Sequence, residues 1–179
     1  MLEKIRYFVP ILGAVLALMF VTAVTSASLV QLKEQQQSNG FITADQRMRE
    51  LDCLALNIYR EAGHEPFEGK VGVAQVTLNR AESGKFPDNV CQVVYQKNVI
   101  YQKVICQFSW YCDQAHRSRP INRQAYDESM VVAKKVLLEG FRLPSLEHAM
   151  YYHADYVNPN WRLPKITKIG RHIFYGEPS

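Results

Sequence analysis

The sequence predicts an α+β domain, and three observations carry that prediction. Two long segments in its first half, and a third further on, repeat apolar residues at helical spacing. Short runs with strand-like alternation enter only later. No internal repeat appears, so helices come first and a small sheet is mixed in behind them.

The chain has 179 residues, enough for one compact domain and an accessory segment. The accessory segment comes first. Lys4 and Arg6 precede Tyr7 to Ala27, an uncharged run long enough to cross a bilayer as a helix at about 1.5 Å per residue. Basic residues on the N-terminal side keep that end cytoplasmic and export the rest. Residues 1–30 are therefore expected to be a transmembrane anchor, with the main domain on the periplasmic or cell-wall side. The alternative is a signal peptide cut near Thr25-Ser26-Ala27, which gives a secreted protein. Residues 31–42, rich in glutamine, read as a polar linker, and the domain is expected over 43–179.

Thr43 opens the first helix of that domain, with Gln46 completing a capping box. Met48, Leu51, Leu54, Ala55, Ile58 and Ala62 recur on its inner face, and Gly63 stops it. A second helix starts near Pro66 and runs to Glu82, burying Val71, Ala74, Leu78 and Ala81. Asp88 is placed to cap a short helix through Val94, and Val104 to Trp110 alternates like a strand. His116 to Asn122 reads as a basic loop. A third long helix follows from Asn122 or Arg123 to Glu139, with Val132, Ala133 and Val136 inward. Strand-like runs His148 to His153 and Ile166 to Tyr175 flank the turn Asn158-Pro159-Asn160-Trp161.

A net charge of +4 suits an anionic polymer. The basic residues are scattered without an aromatic-interleaved stripe, so nucleic acid is not an expected partner. Cys53, Cys91, Cys106 and Cys112 make an even count in an exported domain, which favours two disulfides. Of three possible pairings, Cys91–Cys106 with Cys53–Cys112 is preferred, closing one loop and tying down the first helix. The spacing of these cysteines is not that of a zinc ribbon, and His148 and His153 stand five apart, not four, so no metal is expected.

Glu61 ends the first helix within Ile58-Tyr59-Arg60-Glu61-Ala62-Gly63-His64-Glu65-Pro66. A glutamate in a last turn is ordinarily solvated and opposes the helix dipole. Aromatic and apolar neighbours can instead desolvate it, raise its pKa and make it a proton donor near neutral pH.

Tyr59-Arg60-Glu61-Ala62, Glu65-Pro66, Gly69, Val71 through Arg80, Phe86-Pro87 and Val90 resemble the SleB-type cell-wall hydrolases, which include spore-cortex-lytic enzymes. Cys106-Gln107-Phe108-Ser109-Trp110, Tyr151-Tyr152-His153-Ala154 and Asn158-Pro159-Asn160-Trp161 continue the resemblance in order, from Leu51 to Phe174. It implies a lysozyme-like α+β fold and cleavage of peptidoglycan glycan strands, with Glu61 as catalytic acid. No second carboxylate stands out, as Glu65 and Glu68 fall in a turn and an early helix. One glutamate is what a lytic transglycosylase needs, whereas hydrolytic glycosidases use two carboxylates. Tyr59, Asn79, Gln107, Phe108, Ser109, Tyr152, His153 and Trp161 are the candidate substrate-binding residues: aromatic faces stack on sugars and the amides and hydroxyl reach acetamido groups. No cofactor is implied, and the chain is expected to act as a monomer on peptidoglycan, held to the membrane by its N-terminal helix.

Two rivals come from other classes. Cys53 with His148 or His153 resembles the pair of a cysteine peptidase acting on wall peptides, although Cys53 lies inside a helix. The other is an inactive membrane-tethered wall-binding module, which would have no need to keep Glu61. The Ala-, Gly-, Thr- and Val-rich anchor also leaves room for a releasable one, as in some phage endolysins.

Overall fold

The computed structural model describes residues 42–178, together with Ser28 and Gln31. The expected anchor and most of the linker lie outside those residues; among the described ones, no helix is long and apolar enough to cross a membrane. The chain divides into units Met1–Ala44 and Asp45–Ser179, and the second carries the fold described below.

Three long helices dominate: α1 (Ala44–Ala62), α2 (Phe67–Glu82) and α6 (Arg123–Leu137). Residues Gly69 to Leu78 of α2 are all buried, Lys70 and Gln75 included, so the helix is covered on every side and not only on the face of Val71, Ala74 and Leu78 that its sequence predicts. It is the central element. α1 and α6 pack around it through Leu54, Ile58, Val71, Ala74, Ala133 and Val136. Met48, expected inward, is instead 59% exposed, because α1 reaches the core only from Leu51 onward.

Between α2 and α6 lie α3 (Val90–Val94), strands β1 (Lys97–Ile100) and β2 (Lys103–Cys106), and the single turns α4 (Ser109–Cys112) and α5 (Gln114–Arg117). Asn89, not Asp88, caps α3, its side chain accepting from the Gln92 amide at 2.9 Å. The expected strand through Trp110 ends at Cys106. Beyond it the chain turns into α4, which sends Trp110 into the core, where its indole donates to Asn57 Oδ1 at 2.9 Å. The basic loop likewise begins as α5, capped by Asp113.

The second sheet has order β3–β5–β4, all antiparallel: β3 (Tyr151–Ala154), β4 (Lys165–Ile169) and β5 (His172–Tyr175). The run expected as one strand from Ile166 to Tyr175 is a hairpin, turned at Gly170 with φ +56°. β3 is shorter than its sequence run because a further turn follows the 3₁₀ helix Pro144–Leu146, closed by the Ala149 amide donating to Leu146 O. Phe174 on β5 meets α2 at Gly72, where a Cβ would lie 2.5 Å from the ring. Only glycine admits that contact.

The disulfides are Cys53–Cys91 and Cys106–Cys112, correcting the expected pairing. Cys53 faces α3 from the middle of α1, and Cys112 returns toward the end of β2 because α4 is a single turn. No cysteine among the described residues is free, so the cysteine-peptidase reading lacks its nucleophile.

Candidate active site

Glu61 is placed by the same face of α1 that carries Asn57 one turn earlier. Asn57 is fully buried; its amide donates to Thr77 Oγ1 on α2 at 3.3 Å and its carbonyl accepts from Trp110. These bonds fix the rotation of α1 and aim Glu61 between α2 and β3. There Tyr152 donates its hydroxyl hydrogen to Glu61 Oε2 at 3.1 Å.

Burial raises the Glu61 carboxyl from its ordinary value to about 7, against the opposing pull of the Tyr152 hydrogen bond and the Arg80 charge. Tyr152, buried beside it, is pushed well above its usual value, so it stays a donor. A carboxyl group poised near neutrality inside a groove is suited to give a proton and take one back.

Arg80 completes this cluster, and the sequence reading did not single it out. It is 4% exposed; its Nε donates to Met150 O at 2.8 Å and its guanidinium lies over the rings of Phe86, Phe108 and Tyr151. The Gln107 amide is assigned with its oxygen toward Arg80, since only that orientation lets it accept from Nη1 and Nη2, at 3.1 and 3.2 Å. The signal was an arginine inside an otherwise buried helical run, which demands partners when the helix is buried all round.

Glu61 stands where two cavities meet. One, of about 680 Å³, has Arg80, Gln107, Ser109, Tyr151, Tyr152 and Trp161 among its walls. Trp161 is 43% exposed and stands edge-on to Tyr151, His153 and Tyr175. The other, of about 530 Å³, runs along the end of α1 past Tyr59 toward α5 and the β4–β5 turn.

The remaining candidates divide by position. Phe108 is almost fully buried and supports Arg80. His153 stands behind Trp161, with Nε2 2.9 Å from the Tyr175 hydroxyl. The Tyr59 hydroxyl accepts from the Asn122 amide at 2.9 Å. Asn79 is not brought to Glu61: its amide donates to Leu146 O and Ala149 O at 2.9 and 2.8 Å and holds the start of β3. Glu65, the nearest acid in sequence, accepts from the Arg171 amide at 2.9 Å, and a Cβ on Gly170 would collide with it. Its carboxylate staples the β4–β5 turn. Among the described residues no cluster of His, Cys, Asp or Glu is arranged to hold a metal.

The model of the Cell Wall Hydrolase family matches residues 64–175, well over half of the chain. This chain belongs to the cell wall hydrolase family. Glu61 lies just ahead of the matched segment. The spore cortex-lytic enzyme of Bacillus subtilis (strain 168) is 31% identical over 75% of this chain and 38% of its own. That of Bacillus cereus (strain ATCC 14579) is 30% identical over 80% of this chain and 49% of its own. The chain thus spans less than half the length of these relatives. Among solved structures, the catalytic domain of the Bacillus cereus SleB protein superposes with TM-score 0.52 at 27% identity, covering 72% of this chain and 90% of that one. The catalytic domain of the germination-specific lytic transglycosylase SleB from Bacillus anthracis gives 0.51 at 29%, covering 70% and 93%. This cell wall hydrolase therefore shares the mixed helix and small-sheet fold of those domains.

Proposed function

We propose that this cell wall hydrolase cleaves the glycan strands of peptidoglycan as a lytic transglycosylase, with Glu61 as the only acid and base. The observation that carries the reading is the Glu61 carboxyl, held near pH 7 by burial where two arms of a groove meet. Protonated Glu61 gives its proton to the glycosidic oxygen, and the leaving sugar departs with it. The anomeric carbon of the muramic acid gains positive character, and its own primary hydroxyl attacks. Glu61, now a carboxylate, takes the hydroxyl proton. One C–O bond breaks, one forms, the proton returns to Glu61 and no water is consumed.

Two features support this over hydrolysis. Glu65 spends its carboxylate on the Arg171 amide, and Asp155 faces Lys168 at 2.9 Å, so neither is free to activate water. The activity named for the Bacillus anthracis neighbour points the same way. Ser109, Gln107 and Trp161 are the residues we assign to sugar contact. We further place the domain outside the membrane, tethered through residues 1–30 and spaced by residues 31–42. Retention in the membrane fraction after the proton-motive force is collapsed tests for a fixed anchor.

The decisive experiment is mass spectrometry of fragments released from purified sacculi by the full-length protein and by Glu61→Gln. Anhydromuramic ends from the parent and none from the variant are expected. Reducing ends would replace transglycosylation with hydrolysis; free stem peptides released by both proteins would overturn glycan cleavage.

A further inference from the structure

The groove arm that runs from Glu61 past Tyr59 differs in chemistry from the aromatic arm. Arg60, Arg119 and Arg171 line it, with His64, His116 and His172. Besides Glu61, the acid on this wall is Glu65, already engaged by the Arg171 amide. Arg60 donates through Nη1 to His116 O and through Nη2 to Arg117 O and Arg119 O, at 3.0, 3.1 and 3.2 Å. The backbone that carries Arg119 is thereby fixed to α1. The Arg119 side chain is exposed and makes no hydrogen bond or ion pair among the described residues. Arg171 lies over Tyr156, 3.7 Å from Asp155, and remains two-thirds exposed.

Two unspent polar atoms stand in the same wall. His172 is 6% exposed, and its Nδ1 has no hydrogen-bond partner among the described residues; Arg60 Nε is buried and unpaired likewise. Buried polar atoms are nearly always paired, and these two residues of the groove wall each keep one that is not. A wall that is positive and short of acceptors is complemented by an anion rich in acceptors. Guanidinium groups match the planar carboxylate best.

The geometry points to this arm as a carboxylate-binding subsite, which holds acidic groups borne by the glycan strand lying across Glu61. The inference rests on the proposed glycan cleavage and adds to it what the strand must carry. Such a strand offers carboxylates from two sources: the free acids of its stem peptides, and the lactyl acid of muramic acid once the peptide has been removed.

Binding of full-length Glu61→Gln to sacculi, read by co-sedimentation, separates the subsite from catalysis. Three preparations are compared: intact sacculi, sacculi whose free carboxyls are amidated with carbodiimide and ethanolamine, and amidase-stripped strands carrying lactyl acids alone. Intact sacculi should bind at least about tenfold more tightly than amidated ones, the scale of one charge-assisted hydrogen bond. Adding Arg119→Gln should remove most of that difference. Adding Lys134→Gln, an equal loss of charge on the exposed face of α6, should preserve it. Stripped strands that bind like intact ones assign the subsite to the lactyl acid; stripped strands that bind like amidated ones assign it to the stem. Equal binding of intact and amidated sacculi, or equal losses from the two substitutions, would overturn the subsite. Parallel assay of muropeptide release by the parent keeps the two readings apart: cleavage that ignores amidation sinks the subsite alone, and binding that follows Arg119 without any Glu61-dependent glycan cleavage sinks the activity alone.

Discussion

The Tyr152 hydroxyl donates to Glu61 Oε2 at 3.1 Å while Tyr152 itself packs edge-on to His172 and beside Phe174. The catalytic candidate from the first helix is thus tied to the sheet, and its proton affinity is set by both. Burial raises that affinity and the tyrosine tempers it.

The first consequence is a pH profile. The acid form of Glu61 prevails below about 7, so glycan cleavage should fall as pH rises through that value. Rates on sacculi between pH 5 and pH 9, referred to the ordinary glutamate value of 4.5, check this; a profile flat through 7 would contradict it.

Stability carries the same signature with a defined sign. The folded pKa lies above the unfolded one, so the contribution of Glu61 is fully present below 4.5 and lost as pH rises to about 7. The loss amounts to about 3 kcal/mol. Glu61→Gln does not titrate, so it should gain on the parent by about that amount between pH 4.5 and 7 in urea unfolding.

Tyr152→Phe removes the hydrogen bond that favours ionised Glu61. The falling limb of the rate profile should move up by about one pH unit, with a lower maximal rate because the returning base is less well held. An unmoved limb would place the Tyr152 bond outside the titration.

Arg80→Met leaves Met150 O and the Gln107 amide without their donor inside the core. It should cost about 2–4 kcal/mol in urea unfolding. Glu61, freed from the positive charge, should titrate higher still.

The two disulfides should separate by loop length. Cys53–Cys91 spans 38 residues and Cys106–Cys112 spans 6. Replacing both cysteines of a pair by alanine should cost about 4 kcal/mol for the first and about 2 for the second. The shorter one carries Gln107 and Phe108 between its ends, so its loss should lower glycan cleavage beyond its effect on unfolding.

The first and last long helices were legible because each has a strong apolar period and a terminator, Gly63 and Gly140, while α2 was legible as an apolar run bounded by Pro66 and Gly84. The hairpin at Gly170 was not, since β4 and β5 read as one strand-like run with a single glycine inside it. Strand β1 was missed because all four of its residues are exposed, so burial leaves no alternation in them. Glu61 stood out through the family resemblance of the residues around it, since a glutamate in a helix's last turn is ordinarily solvated. Arg80 and the staple from Glu65 to Arg171 did not, since a buried arginine and a contact across 106 residues show only when helix and sheet are brought together. The disulfide pairing failed for a similar reason: α4 closes in a single turn that returns Cys112 to Cys106, and Cys53 on α1 meets Cys91 only once α3 packs against it.

Both cavities share Glu61 as a wall, one on each side of it. A catalytic group with grip on both sides can seize a polymer at an interior bond without waiting for a terminus. On the proposed glycan cleavage, the first products from long strands should be a broad spread of lengths, and the mesh should lose tension early, well before much of its mass is released.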